Sequence, residues 1–245
     1  MDDIIFGRNP VREALRARRP LNKVLVAENI SFGTISEIVT LAKKNGVPLQ
    51  KSPRASLDKF TGGKSHQGVV ALASAKEYAD LDDLLVKKGD KLPLIYVLDG
   101  VSDPQNVGAI LRTAEATGAN GVIIQKRRAV QLTPVVAKSS AGAIEYVPVA
   151  RVTNLVQSIN KLKDAGFWIA GASANAKSDL WEADLNLPLA IVIGDEGKGI
   201  GRLVSESCDF LIRIPMEGKI ASLNASAAAA VLGYEAIRQR RDNGG

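Results

Sequence analysis

Three stretches of the sequence concentrate side chains able to bind and orient a reacting group. DGVSDPQNVGAILRTAEATG (99–118) carries Asn106 and Arg112, VIGDEGKGIG (192–201) carries Gly194 and Glu196, and IRIPMEGKIASLNASAAAAVLGYEAI (212–237) carries Ser222 and Asn224. Amides, hydroxyls and a carboxylate can orient a polar substrate, glycine admits close approach to the backbone, and a guanidinium fork suits phosphate. The familiar nucleotide and hydrolase patterns do not fit. A Walker loop requires Gly at position 192 and Ser or Thr after Lys198, where the chain has Val192 and Gly199. A dinucleotide fingerprint built on Gly197 and Gly199 requires Gly or Ala at 202, which is Arg202. There is no serine elbow. The single histidine, His66, lies far from these stretches in sequence, so chemistry near Asn106 must proceed without a nearby imidazole.

The elements around the stretches explain how they could meet. From Leu92 the apolar runs LIYVLD, GVIIQ, YVPVA, FWIAGA, LAIVIG and FLIRI read as strands covered on both faces, as in a parallel sheet. Helices are expected at 106–117, 134–140, 154–164, 201–207 and 224–240, giving a parallel α/β domain. Each of the three stretches starts where a strand ends, and ligands collect at the carboxyl ends of parallel strands. Asn106 is expected to cap the first of these helices, and Arg112 to project from it. Ser222 and Asn224 open the last helix and could cap it. The alanine run that follows suits close packing.

Residues 1–75 read as a separate small α/β unit. Asn9-Pro10 resembles a cap followed by the start of the helix VREALRARR, KVLVA, VPLQK and GVVALA read as strands, and GTISEIVTLAKKNG has near-helical apolar spacing. KEYADLDDLLVKKGDK (76–91) is a charged connector with a short helix, and 92–245 is the second domain.

Composition limits the partners. The 245 residues include 32 Lys or Arg against 26 Asp or Glu, and 12 of the former against 6 of the latter fall in residues 1–75. A basic module joined to a nearly neutral one suggests an arm for a polyanion. One cysteine, Cys208, rules out an internal disulfide and a cysteine-cluster metal site, so no metal is expected and Cys208 is assigned to packing. No apolar run is long enough to span a bilayer and MDDIIFGRNP does not resemble a secretion signal, so a cytoplasmic enzyme is expected, with no membrane partner.

Together, NVGAILRTAEATGANGVI, IGDEGKGI and IPMEGKIASLNASAAAAV resemble the SpoU (TrmH-type) family of the SPOUT superfamily, over roughly residues 92–240. GRNPVREAL and KSHQGVVA resemble the RNA-binding domain of the RlmB-like branch, which methylates a guanosine 2′-hydroxyl in large-subunit (23S) ribosomal RNA. The resemblance implies an α/β fold whose C-terminal parallel-sheet SPOUT domain (92–245) holds a deep trefoil knot, preceded by a small α/β RNA-binding domain like a ribosomal-protein fold. It implies S-adenosylmethionine as methyl donor, held largely by main-chain groups at Gly194, Ile214 and Leu223 with Met216 and Ser222 close by, and it implies a homodimer. Asn106, Arg112, Glu196, Ser222 and Asn224 become the catalytic candidates. Glu196 would order the first loop, and Arg112 would bind the adjacent phosphate in preference to acting as a base, since a neutral guanidinium is scarce. For ribosomal RNA capture, Arg8, Arg12, Arg16, Arg18, Arg19, Lys64, His66 and Gln67 are the candidates. Alternative readings are a transfer-RNA or resistance-type ribosomal-RNA ribose methyltransferase, a non-catalytic RNA-binding assembly factor, and a small-molecule methyltransferase.

Overall fold

The structure, a computed structural model, describes residues 3–74, 76–86, 89–127 and 130–242. The chain forms two compact units, Met1–Glu77 with Gln131–Tyr146, and Tyr78–Val130 with Val147–Gly245. The expected domain boundary at 75 and residues 87–88 of the expected connector lie outside the described residues.

In the first unit the elements are β1 (Asp3–Phe6), α1 (Arg8–Arg16), β2 (Leu21–Ala27), α2 (Ser36–Lys44), β3 (Leu49–Ser52), α3 (Arg54–Thr61) and β4 (Val69–Ala73). The sheet order is β1-β4-β2-β3. β4 runs antiparallel to both β1 and β2, whereas β2 and β3 are parallel. One face buries Val11, Ala14 and Leu15 of α1 with Ile38 and Ala42 of α2 against Val24, Val26, Val69 and Ala71. On the other, Leu57 of α3 packs with Phe6, Leu25, Val70 and Leu72. Asn9 is not a cap: α1 starts one residue earlier, at Arg8, after Gly7 with φ 100°.

The second unit opens with α4 (Leu81–Leu85), β5 (Leu94–Asp99), α5 (Pro104–Ala116) and β6 (Gly121–Gln125). After α6 (Pro134–Ser139), which belongs to the first unit, come β7 (Val149–Val152), α7 (Leu155–Asp164), β8 (Trp168–Ala172), β9 (Ser178–Asp179), β10 (Leu189–Gly194), α8 (Arg202–Glu206), β11 (Phe210–Arg213) and α9 (Ala225–Asp242). The seven-stranded sheet, in order β7-β6-β5-β10-β8-β11-β9, is parallel throughout. Expected helix and strand positions hold to within a few residues for these elements. From Tyr78 on, the segment read as a connector belongs to this unit: α4 opens with an Asp80–Asp83 capping box and Leu84 is fully buried in the core. Among the described residues no helix is long and apolar enough to cross a membrane.

Close packing at α9 accounts for its small residues. A Cβ on Gly233 would lie 1.8 Å from the Tyr96 hydroxyl oxygen, so only glycine lets α9 sit this near β5. Burial pushes the Tyr96 phenol up to about 12. At the far end of α9, Arg240 donates to the carbonyls of Leu92, Pro93 and Leu187 at 2.9, 3.1 and 2.7 Å, tying the helix to the segments that enter β5 and β10. Cys208 donates from Sγ to the Val204 carbonyl, and burial raises its thiol to about 12. So placed, the thiol is a packing group with little thiolate character.

Candidate active site

Because the sheet is parallel, the segments leaving β5, β8, β10 and β11 all emerge along one edge. The chain order also reverses there: β6 and β7 lie to one side of β5, while β10 and β8 lie to the other, and such a switch point opens a crevice. Its rim is tied together by two aspartates. Asp99 Oδ2 accepts from Gly201 N–H at 2.7 Å, linking the end of β5 to the glycine-rich loop. Asp195 Oδ1 accepts from Gly197 and Lys198 N–H at 3.0 and 3.1 Å, while the Asp195 and Gly199 backbones exchange hydrogen bonds. Gly194 is required by this turn: an added Cβ would stand 2.2 Å from the Gly199 carbonyl carbon. Glycine at 194 is thus required by the loop's own backbone, and the same residue lines the cavity at which the sequence reading placed it.

A cavity of about 360 Å³ opens here, lined by Gly194, Glu196, Ile214, Met216, Ser222 and Leu223 among others. Five of these are the residues carried over from the family as cofactor contacts. The segment Ala172–Asn175 at the end of β8 also lines it and was missed in the sequence, although the strand-end rule applies equally to FWIAGASAN. The volume lies in the range of small-molecule sites. Ile193, Ile200, Ile212, Ile214 and Leu223 give it apolar walls beside the charged side chains of Asp195, Glu196 and Lys198, a surface that fits a nucleoside with a sulfonium arm better than a polyanion.

At the lip three side chains meet. Asn106 Nδ2 donates to Glu196 Oε1 at 2.7 Å, and Asn224 Nδ2 donates to Asn106 Oδ1 at 2.9 Å and to the same Glu196 oxygen. Asn224 fixes the polarity of this cluster. Its Oδ1 accepts from Ser226 N–H, Ser226 Oγ and Ala227 N–H, capping α9, so its NH2 must face Asn106 and Glu196. Asn106 then spends its oxygen on Asn224 and one amide hydrogen on Glu196, leaving the other for a substrate.

Asn106 does not cap α5, contrary to expectation. Asp103 is the cap, accepting from Gln105 and Asn106 N–H at 3.2 Å each with Pro104 following, and this frees the Asn106 side chain for the cluster. Arg112 is exposed on the same helix, about 9 Å further along the axis and roughly 120° around it. Among the described residues no hydrogen bond joins it to the cluster. Ser222 is exposed on the cavity wall. Among the described residues no group of three or more His, Cys, Asp or Glu could hold a metal.

In the first unit the structure separates the RNA-binding candidates. His66 is 1% exposed; its Nδ1 accepts from Gly68 N–H at 3.0 Å, so Nε2 carries the hydrogen and donates to Asp58 Oδ1 at 3.0 Å. Its assignment to RNA edges is corrected to holding the loop. Arg19 is also buried, pairing with Asp3 and with Glu145 at 2.8 Å, so its assignment is corrected likewise. Arg12 and Arg16 are engaged by Glu13 and Glu37. Arg18 and Lys64 are exposed, and Gln67 Oε1 accepts from Arg8 N–H at 3.0 Å.

Comparison with known proteins agrees with this layout. The SpoU rRNA Methylase family profile matches residues 93–234, and the profile described as RNA 2′-O ribose methyltransferase substrate binding matches residues 4–79. A Bacillus subtilis protein named "Putative TrmH family tRNA/rRNA methyltransferase YacO" is 50% identical over 244 residues, covering 99% of this chain and 98% of its own. The SpoU methyltransferase AviRb from Streptomyces viridochromogenes, crystallised with AdoMet, superposes with a TM-score of 0.83 at 26% identity, covering 98% of this chain and 91% of that one. A crystal structure described as an RNA 2′-O ribose methyltransferase superposes with a TM-score of 0.83 at 30% identity, covering 97% and 88%. The chain belongs to the SpoU rRNA Methylase family, within the SPOUT class, and is an S-adenosylmethionine-dependent RNA 2′-O-methyltransferase.

Proposed function

We propose that the chain methylates the ribose 2′-hydroxyl of a guanosine in large-subunit (23S) ribosomal RNA, acting as a cytoplasmic homodimer with residues 1–75 as the RNA-binding arm. The observation that carries this reading is the Asn106–Glu196–Asn224 cluster, set beside a donor-sized cavity at the carboxyl ends of β8, β10 and β11.

When bound, S-adenosylmethionine supplies a methyl group already activated on a sulfonium. The cavity walls at Gly194, Ile214, Met216, Ser222 and Leu223 would hold it and exclude water. Asn106 would then offer its remaining amide hydrogen to the ribose, while Glu196, with one oxygen engaged by two amide donors, holds Asn106 in place. Arg112, with five N–H donors, would bind the neighbouring phosphate and offset charge that grows on the ribose oxygen. The hydroxyl proton would be lost to solvent at the open lip, while the sulfonium, when bound, would supply the methyl and keep the electron pair of its carbon–sulfur bond as a thioether. Fixing attacking oxygen and methyl carbon in line is the main contribution such a site can make.

The homodimer is proposed from the family resemblance; Trp181, Leu203 and Ile220 are exposed apolar side chains of the second unit, at 59%, 59% and 74%. A trefoil knot is proposed for this unit, in keeping with a cavity lined by successive segments 172–175, 193–200 and 212–225. A second reading is a transfer-RNA target, since the name of the Bacillus subtilis relative spans both RNAs.

Radiolabelled donor incubated with purified ribosomal and transfer RNAs, followed by mapping of the labelled nucleotide, tests the proposal. Label on a 23S guanosine is expected. Label confined to transfer RNA would replace the first reading with the second.

A further inference from the structure

The register of the first unit brings one end of its sheet into a single row. Phe6 of β1 lies beside Val70 of β4, Val69 beside Val26 of β2, and Ala27 beside Ser52 of β3. The segments that leave or enter the strands there, around Arg8, Phe32, Arg54 and Gln67, must share that end. Phe32 is 46% exposed, and Lys51 Nζ lies 5.0 Å from the centroid of its ring. A large aromatic left open to solvent with a cation over it has one face in use and another to offer. In the segments near this end Arg54 and Lys64 are exposed, as are the acids Glu28 and, in its side chain, Asp58.

The loop before β4 is stiff. His66 pins it to Asp58 and to Gly68, and Gln67 adopts φ 52°, unusual for a side chain of its size. That strained conformation is kept by two bonds to Arg8, one from the Arg8 backbone N–H to Gln67 Oε1 at 3.0 Å and one from Arg8 Nε to the Gln67 carbonyl at 3.3 Å. Lys138 of α6 donates to the Ser65 carbonyl at 2.7 Å, adding a further cation to this loop. By contrast, Arg12 and Arg16 of α1 spend their charge on Glu13 and Glu37.

We propose that this strand-end face is where the first unit captures single-stranded RNA, with an unpaired base stacked on Phe32 and phosphates held by Lys51, Arg54 and Lys64. The assignment rests on the RNA-methyltransferase reading above; it keeps Lys64 from the loop expected in the sequence and moves the rest of the RNA surface away from the expected N-terminal arginines. A single strand is specified because bases within a duplex are already stacked and cannot lie on a side-chain ring.

The test is fluorescence titration of the full chain with an oligoadenylate of about twelve nucleotides carrying one 2-aminopurine, beside a blunt duplex of the same length. Phe32→Ala is expected to weaken single-strand binding about tenfold and Phe32→Trp to preserve it, as stacking energies imply. Lys51→Gln should shallow the plot of log affinity against log salt by about 0.7, the value for one phosphate contact on a single strand. Any of three results overturns the proposal: Phe32→Ala within about twofold of the parent, equal affinity for the duplex, or no binding of the single strand by the parent chain at low salt. None of these titrations involves the methyl donor, so failure to label ribosomal RNA would refute the target assignment while leaving this surface standing.

Discussion

Two loops of this molecule are held by side-chain hydrogen bonds to opposite ends. The loop before β4 is held by His66, which is sequestered, with both ring nitrogens engaged. The loop after β10 is held partly by Glu196, whose oxygen gathers two amides at the surface beside a cavity. A buried and fully satisfied polar group shapes what its neighbours present. An exposed cluster with one donor left over is itself available to a substrate. The difference lies in unspent hydrogen-bonding capacity at an accessible place, because residue type alone predicted a binding role for both.

The largest effect should come from the exposed cluster. Asn106→Ala removes the donor proposed for the ribose and the link between Asn224 and Glu196. Methyl transfer is expected to fall about 100-fold, with donor binding by calorimetry changed only a few-fold, because the loss is one of positioning. Glu196→Gln, which still presents an acceptor oxygen to both amides, should lose far less than Glu196→Ala. Equal losses in the two variants would show that the carboxylate charge matters and that orientation does not.

His66→Ala inverts the pattern. It leaves Gly68 N–H and Asp58 without their partner, and the buried donor makes this change expensive, at about 2–3 kcal/mol by urea unfolding. Oligonucleotide binding should weaken with it while the heat of donor binding stays. A variant with parental stability but lost RNA binding would restore His66 as a direct RNA contact and erase the contrast between the two loops.

The contrast also explains what the sequence disclosed. Strands β5, β8 and β10 were legible because fully apolar runs bounded by glycine or charge have few alternatives in a parallel sheet. The three stretches at the ends of β5, β10 and β11 could be found because each joins polar side chains to glycine where a strand stops. Asn106 was misread as a cap because Asp103-Pro104 provides an equally good cap three residues earlier, and local rules do not rank the two. β1 escaped notice because DIIF is only four residues long. Burial of His66 and Arg19 was hidden because it depends on distant partners. Arg19 meets Glu145 across 126 positions, in a segment that the contiguous domain reading had placed in the other unit.

Gly233 offers a smaller test within the core of the second unit. A Cβ at this position would meet the Tyr96 hydroxyl, which is buried and bonded to Thr117 Oγ1 at 3.3 Å. Gly233→Ala should destabilise the protein by about 1–3 kcal/mol through overpacking. Tyr96→Phe removes the obstructing oxygen, so the double variant should recover much of the loss, giving a favourable coupling in the mutant cycle. Additive losses would mean that the glycine is needed for the helix backbone and not for the approach to Tyr96.

The smallest expected effect concerns Glu235 on α9, where a buried carboxylate is held by Arg238 at 2.8 and 2.9 Å and by Gln239 at 2.9 Å. The hydrogen bonds from Arg238 lower its pKa, against the opposing effect of burial. The folded state therefore binds this proton less readily than the unfolded chain does. Its contribution to stability is complete above the ordinary glutamate value and fades as the pH drops through the lowered one. In urea unfolding from neutrality to about pH 3, Glu235→Gln should show a shallower acid decline than the parent, the two curves converging at the acid end. Parallel curves would mean that Arg238 stabilises Glu235 no more in the folded helix than in the open chain, and that α9 owes its place to its other contacts, Gly233 and Arg240 among them.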